Sequence, residues 1–276
     1  MSNREFKRFS EFVYARCGIK MPPAKKTMLT ARLLKRLRDL ELTSYKEYYE
    51  YINTPEGRSK ELVKMIDVVT TNKTEFFREA EHFDFLAKSA LPALVGSRQA
   101  RSRRRLNIWS AGCSSGEESY TLAMVLAEFF SITQPLNRFS ILATDISTQI
   151  LATAKKAIYR KETVEPVPVM LQQKYLLRGK DSQKDLCRVV PELRHCITFR
   201  HLNFMDKDFG IRPKMDIIFC RNVVIYFDRQ TQIKLFEKFY NQLVPGGYLF
   251  IGHSESLHGI NERFQNVATT VYRKPM

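Results

Sequence analysis

Leu106-Asn107-Ile108-Trp109-Ser110-Ala111-Gly112-Cys113-Ser114-Ser115-Gly116-Glu117-Glu118 is the stretch on which the architecture turns. The apolar run Leu106–Ser110 predicts a short buried strand, and Glu117–Phe130 predicts the helix that follows it. Gly112 and Gly116 lie between them and let the backbone come close to a ligand at the strand's carboxyl end. The turn is not the dinucleotide fingerprint, because no third glycine follows and two glutamates open the helix. Carboxylates at a helix N-terminus repel a pyrophosphate. They suit a cationic ligand better, such as one carrying an ammonium and a sulfonium. The plain alternative is a strand–helix turn with capping acids.

Downstream the alternation continues. Strands are predicted at Ser140–Thr144, Met215–Cys220 and Tyr248–Gly252, helices at Ser147–Ala157 and Arg229–Leu243, and a last β-rich run at Val267–Tyr272. Short buried strands alternating with helices imply a parallel, doubly wound α/β sheet. Asp145 ends the second strand, where an acid can accept hydrogen bonds from ribose hydroxyls; capping the next helix is its bland role. Arg221, Asn222 and Tyr226 follow the Met215–Cys220 strand and should reach the crevice at the strands' carboxyl ends. Asn203 follows a strand at Ile197–Arg200, and its amide can both donate to and accept from an adenine edge. Residues Tyr159–Arg200 interrupt the rhythm with a helix at Val169–Leu177 and short β pieces at Leu186–Val190 and Cys196–Arg200. They read as a small inserted β-subdomain.

Upstream the chain is helical. Phe6, Phe9, Phe12 and Val13 recur at helical spacing, as do Leu29, Leu33, Leu37 and Leu40. Ser44 is placed to cap Tyr45–Ile52, and Thr54-Pro55-Glu56-Gly57 to end that helix. Ser59–Val69 and Glu79–Val95 are two further helices. The expected division is a helical domain at 1–86 and an α/β domain at 87–276, with the insertion at about 159–200. Gly96–Arg105 reads as a basic loop. Lys25, Arg32 and Arg36 share one stripe of the Lys25–Leu40 helix, with Lys35 further round and the leucines on the adjacent face. Such a stripe is either a solvated face or a dock for an acidic partner.

With 276 residues, 44% of them hydrophobic, the chain can bury a sizeable core. No apolar run is long enough for a membrane span, and the first residues lack a secretory signal. Five widely spaced cysteines without a CxxC pair argue against a disulfide frame or zinc site and fit the cytoplasm. The 45 Lys and Arg against 29 Asp and Glu leave +16, which calls for an acidic partner.

Three segments, in order, are similar to the CheR family, which esterifies glutamates on chemotaxis receptors. They are Thr70-Thr71-Asn72-Lys73-Thr74-Glu75-Phe76-Phe77-Arg78-Glu79, Trp109 through Tyr120, and Cys220-Arg221-Asn222-Val223-Val224-Ile225-Tyr226-Phe227. The resemblance spans nearly the whole chain. Ser119 departs from a frequent proline, and Ser115 from a frequent threonine. The resemblance implies a Rossmann-like S-adenosylmethionine-dependent methyltransferase domain, with S-adenosylhomocysteine as product and no metal. It implies that Asn72, Thr74 and Arg78 contact the cofactor from the helical side. Glu118, with Glu117 beside it, would hold the cofactor's amino-acid end, and Asp145 its ribose. Asn203 and Phe204 would meet the adenine, while Arg221, Asn222 and Val223 complete the site, beside Gly112 of the glycine turn. Arg78 and Tyr226 are linked to methyl transfer. Arg78 would orient either the incoming carboxylate or the cofactor's, and Tyr226 would bond the substrate oxygen or line the methyl path. The implied partners are the cytoplasmic helical domains of methyl-accepting receptors, docking on Lys25, Arg32, Lys35 and Arg36 of a monomer. The insertion is a place for a receptor's C-terminal tether peptide.

Two other readings compete with this one. A nucleic-acid methyltransferase would suit the charge, but the Pro-Pro-aromatic motif of DNA amino-methylating enzymes is absent after the Met215–Cys220 strand. A cofactor-sensing scaffold would lack turnover.

Overall fold

The computed structural model describes residues 1–96, 105–131 and 138–276. Most of the expected basic loop at 96–105 lies outside the described residues. The chain begins with helix α1 (Asn3–Cys17), whose start is fixed by a capping box between Ser2 and Glu5. A 3-10 turn at Pro23–Lys25 leads into α2 (Lys26–Asp39), and Ser44 caps α3 (Tyr45–Asn53) as expected. Thr54 closes α3 and also caps α4 (Pro55–Lys60), which is followed by α5 (Leu62–Val69). The single helix expected at 59–69 is therefore two. Gly57 permits the tight α3–α4 corner, because a Cβ there would sit 2.0 Å from the Tyr51 carbonyl oxygen. Phe9, Leu29, Leu33, Tyr48 and Ile52 bury completely in the core of this layer.

That core ends at Val69, and Phe76, Phe83, Leu86, Leu91 and Leu94 belong to the core of the sheet domain. The boundary falls near residue 70, earlier than the expected 86, because the apolar face of the next helical stretch packs on the sheet. This stretch is α6 (Glu81–Phe85), a π-helical turn (Leu86–Ala90) and α7 (Leu91–Gly96).

The sheet domain contains β1 (Leu106–Ala111), α8 (Glu117–Ser131), β2 (Phe139–Asp145) and α9 (Thr148–Lys156). Next come β3 (Ile158–Arg160), α10 (Lys161–Val164), α11 (Val169–Tyr175), β4 (Leu176–Arg178), β5 (Leu186–Val189), α12 (Pro191–His195) and β6 (Ile197–His201). The chain ends with β7 (Met215–Cys220), α13 (Arg229–Gln242), β8 (Leu243–Ile251), β9 (Gln265–Ala268) and β10 (Val271–Arg273). Seven strands form the main sheet in the order β6-β2-β1-β7-β8-β10-β9. The first five are parallel, and β10 runs antiparallel to both neighbours. The last β-rich run is thus a hairpin rather than one strand.

The insertion is smaller than expected. Strands β3, β5 and β4 form a separate antiparallel sheet, but β6 pairs with β2 in the main sheet. By sequence the Cys196–Arg200 piece reads as part of the insertion, because periodicity alone does not say which sheet a strand joins. No helix among the described residues is long and apolar enough to cross a membrane.

After β1 the chain moves outward through β2 to β6, then returns to place β7 on the other side of β1. The β1/β7 boundary is the topological switch point, where the diverging connections leave a crevice at the strands' carboxyl ends.

Candidate active site

A cleft of about 1100 Å³, open mouth included, occupies that crevice. Of the residues expected to bind cofactor, all but Glu117 line it: Asn72, Thr74, Arg78, Gly112, Glu118, Asp145, Asn203, Phe204, Arg221, Asn222 and Val223. Tyr226 lines it too. Its roof comes from the helical layer, where Cys17, Ile19, Met21 and Met28 face inward. Those four went unrecognised, since apolar residues in a helical domain look like ordinary core.

The floor is the turn after β1. Gly112 has φ +84°, and a Cβ there would lie 2.5 Å from Cγ2 of Val223. The Gly112 and Cys113 amides both donate to the Thr144 carbonyl, at 2.8 and 2.9 Å, which locks the turn to the end of β2. Asp145 is buried, and its carboxylate accepts from the amides of Ser114 and Ser147, both at 2.9 Å. Burial pushes its pKa up, opposed by those backbone hydrogen bonds. Each oxygen keeps further accepting capacity for a hydroxyl. The segment carrying Asn72 is tied to this floor by the Ser114 hydroxyl, which donates to the Asn72 carbonyl at 2.9 Å.

Glu118 is the acid at the cleft's inner end. Its Oε1 accepts from the Ser110 hydroxyl at 2.8 Å, and its Oε2 lies 3.4 Å from Arg221. Burial lifts its pKa above the ordinary value. Glu117 does not join it. That side chain is buried with its carboxylate on the Ser115 hydroxyl at 2.6 Å and is no part of the cleft wall. One helical step of 100° turns it away.

The loop after β7 is held by a residue that sequence reasoning missed. The buried Glu255 carboxylate accepts from the amides of Asn222 (3.0 Å), Val224 (2.9 Å), Ile225 (3.3 Å) and Gly252 (2.6 Å). These bonds hold Asn222 at φ 57°, a left-handed conformation that asparagine tolerates. The only sequence signal was a glutamate shortly after the end of β8. Arg221, expected to complete the site, lines the cleft from within the core, paired with Glu79 and bonded to the Arg78 carbonyl. Glu79 had been given no role.

Arg78 donates to the Lys73 carbonyl at 3.1 Å from the cleft wall. Across the mouth, Lys25 sits over the Tyr226 ring, 4.8 Å from its centroid. Asn203 is more constrained than expected. Its amide nitrogen donates to the Arg16 carbonyl at 2.7 Å and its oxygen accepts from the Met205 amide at 3.0 Å. The side chain joins the two domains and has one N–H left for a ligand. Phe204 packs edge-on against Trp109 with centroids 6.3 Å apart and presents an aromatic wall.

The expected basic stripe on α2 divides. Arg36 is mostly buried, gripping Glu61 through Nε at 2.7 Å and Nη2 at 2.8 Å. Arg32 donates to the carbonyls of Val69 and Thr70 at 2.9 and 2.8 Å, closing the end of α5. Both are internal supports because the partner acceptors come from α4–α5, which a helical wheel of α2 alone does not show. Lys25 and Lys35 remain on the outside, and only Lys25 reaches the cleft.

Glu79, His82 and His253 bring donor atoms within 4.8 Å of one another, the one such group among the described residues. The Glu79 oxygens already hold Arg221 at 2.9 Å and Asn222 at 3.2 Å. A cation placed there would face the guanidinium, so the donor set does not favour a metal.

Residues 4–70 match the model of the CheR methyltransferase all-alpha domain, and residues 72–273 that of the CheR methyltransferase SAM-binding domain. Among curated proteins, a chemotaxis protein methyltransferase of Borreliella burgdorferi is 38% identical over 270 residues, covering 98% of this chain and 94% of the relative. One from Escherichia coli is 38% identical over 272 residues, covering 99% and 91%. Chemotaxis protein methyltransferase 2 of Pseudomonas aeruginosa is 37% identical over 271 residues, covering 98% and 93%.

Proposed function

The chain belongs to the CheR family of S-adenosylmethionine-dependent chemotaxis methyltransferases, and from that premise we propose that it esterifies glutamate side chains on chemoreceptors at the cleft between its two domains. The observation that carries this is the convergence of twelve expected site residues on one crevice at the switch point.

The residues fit the cofactor. Glu118 offers a mostly buried carboxylate to an ammonium, Asp145 offers acceptors to ribose hydroxyls, and Phe204 offers an aromatic face to a purine. Asn72, Thr74 and Arg78 close over the same space. When bound, S-adenosylmethionine supplies an electrophilic methyl group on its sulfonium. A glutamate carboxylate is ionised at neutral pH and is already a nucleophile, so the protein needs no strong general base. Its work is positioning and exclusion of water. Arg78 orients a carboxylate by charge-assisted hydrogen bonding from the wall. Tyr226 stands at the mouth, with its hydroxyl available to a substrate oxygen.

The receptor approaches past Lys25, with Lys35 adding long-range attraction for an acidic helix. The small sheet offers a second contact. Its edge strand β4 can add a tether peptide as a further strand, beside the exposed Met170 and Leu177.

The test is transfer of labelled methyl from S-adenosylmethionine to chemoreceptor cytoplasmic fragments, bulk RNA and DNA, followed by mild base. Base-labile label on receptor is expected. Base-stable label on nucleic acid, or bound cofactor with no transfer to anything, refutes the proposal.

A further inference from the structure

Arg221 is a buried cation between two carboxylates, and it does not treat them alike. Its side chain is 2% exposed. Towards Glu79 it makes two contacts, Nη2 at 2.9 Å and Nε at 3.3 Å. Towards Glu118 it makes one, Nη1 at 3.4 Å. The other Glu79 oxygen accepts from the Asn222 amide nitrogen at 3.2 Å and the His253 backbone amide at 3.3 Å. Rings of Phe83 and Phe219 flank the guanidinium at 5.3 and 5.9 Å. Glu79 itself sits at φ 56°, a conformation that costs energy for a residue without local compensation.

We propose that Glu79 is a positioning residue that holds Arg221 as its own counter-ion, and so leaves Glu118 open to the cofactor's ammonium group. The inference rests on the assignment of Glu118 to that ammonium. Charge balance gives the reason. One guanidinium between two carboxylates leaves a single negative charge in a dry place, and one ammonium neutralises it. With Glu79 uncharged, Arg221 and Glu118 would neutralise each other, and an incoming ammonium would bring an unbalanced buried charge. The two acids differ accordingly. Burial pushes Glu79 upward, but the Arg221 charge and hydrogen bonds outweigh it and hold the carboxyl below its ordinary value. Burial leaves Glu118 above its ordinary value even with Arg221 nearby. No cofactor atom needs to touch Glu79 for this effect.

The experiment compares binding of S-adenosylhomocysteine with that of the same molecule lacking its α-amino group. Calorimetry is done on the wild-type chain, Glu79→Gln, Glu79→Asp and Glu118→Gln, with melting curves to confirm folding. The wild-type preference for the amino-bearing ligand should fall about tenfold in Glu79→Gln, the scale of a charged hydrogen bond, while the deaminated ligand binds as before. Glu79→Asp restores the charge and should lie between the two. Should Glu79→Gln not fold, the reduced preference of Glu79→Asp carries the test. Equal loss of both ligands, or an unchanged preference, overturns the inference. Glu118→Gln separates the two levels of the argument. If it abolishes the preference and the Glu79 variants do not, only the role of Glu79 fails. If Glu118→Gln leaves the preference intact, the assignment of Glu118 fails and this inference falls with it.

Discussion

Gly112→Ala tests whether the close backbone approach at the switch point shapes the cleft. A Cβ at residue 112 would lie 2.5 Å from Cγ2 of Val223, on a backbone with φ +84°. Two separate penalties follow. A left-handed backbone costs an L side chain about 1–2 kcal/mol. Pressing a methyl group into Val223 adds about 1–3 kcal/mol of overpacking. Val223→Ala removes the atom in the way but leaves the backbone conformation as it was. The double variant should therefore recover the packing part and keep the backbone part. Denaturant melts of the four chains give the cycle, and S-adenosylhomocysteine calorimetry shows whether the cleft follows the fold. The expected coupling is about 1–3 kcal/mol in favour of the double variant. Strictly additive losses would mean that Gly112 and Val223 do not meet, and the reasoning about this turn would be wrong.

Glu255→Ala should weaken S-adenosylhomocysteine binding at least about tenfold and destabilise the fold, since it strands four backbone amides at a cost of about 1–3 kcal/mol for each that stays dry; wild-type binding would show that the loop after β7 needs no brace. Burial, with Arg221 adding to it, pulls His82 down from 6.5 to about 4, so the unfolded chain binds the extra proton between those values. Stability from this group is complete above about pH 6.5 and is lost as pH falls towards 4, by at most about 3 kcal/mol. His82→Phe should flatten that acid limb in pH-dependent melts, and an unchanged slope would remove His82 as its source. Lys35→Glu should slow receptor methylation several-fold at low salt without changing cofactor affinity, and equal rates would dismiss this face of α2. Arg36→Glu should instead destabilise the helical layer by about 3–5 kcal/mol by leaving Glu61 buried and unpaired; wild-type stability in a denaturant melt would show that the buried pair does no structural work.

The elements that hydrophobic period controls were legible from residues alone. The helices around Phe9, Leu33 and Tyr48 and the strands β1, β2, β7 and β8 stand within a few residues of expectation. Long-range partnership was not legible. The strand at Ile197–His201 has the composition of either sheet, and only its register against Ile141–Asp145 assigns it to the large one. The domain boundary failed for the same reason. Residues 81–96 are helical like those before them, but their apolar side chains find the sheet rather than the bundle.

The site was legible to the extent that its residues follow strand ends. Gly112, Asp145 and Asn222 stand at the carboxyl ends of adjacent parallel strands and Glu118 in the first turn of the helix after β1, so alternation of strands and helices was enough to bring them together. What stayed hidden were charges whose meaning depends on a partner far along the chain. Arg36 looked like a free cation until Glu61, 25 residues on, closed over it. Glu79 carries no role in the sequence reading, and Arg221, 142 residues away, takes it as a counter-ion. Glu255 carries no role in the sequence reading, yet it fixes the backbone of Asn222 and Val224. In each case the pairing is local in space and remote in sequence, and a helical wheel or a strand-end rule carries no information about it. A charged residue near a ligand site is therefore poorly assigned by its own position. Its assignment requires an account of which opposite charges share its dry volume, and in this cleft that account separates Glu79, held by Arg221 through two contacts, from Glu118, held through one and proposed for the cofactor's ammonium.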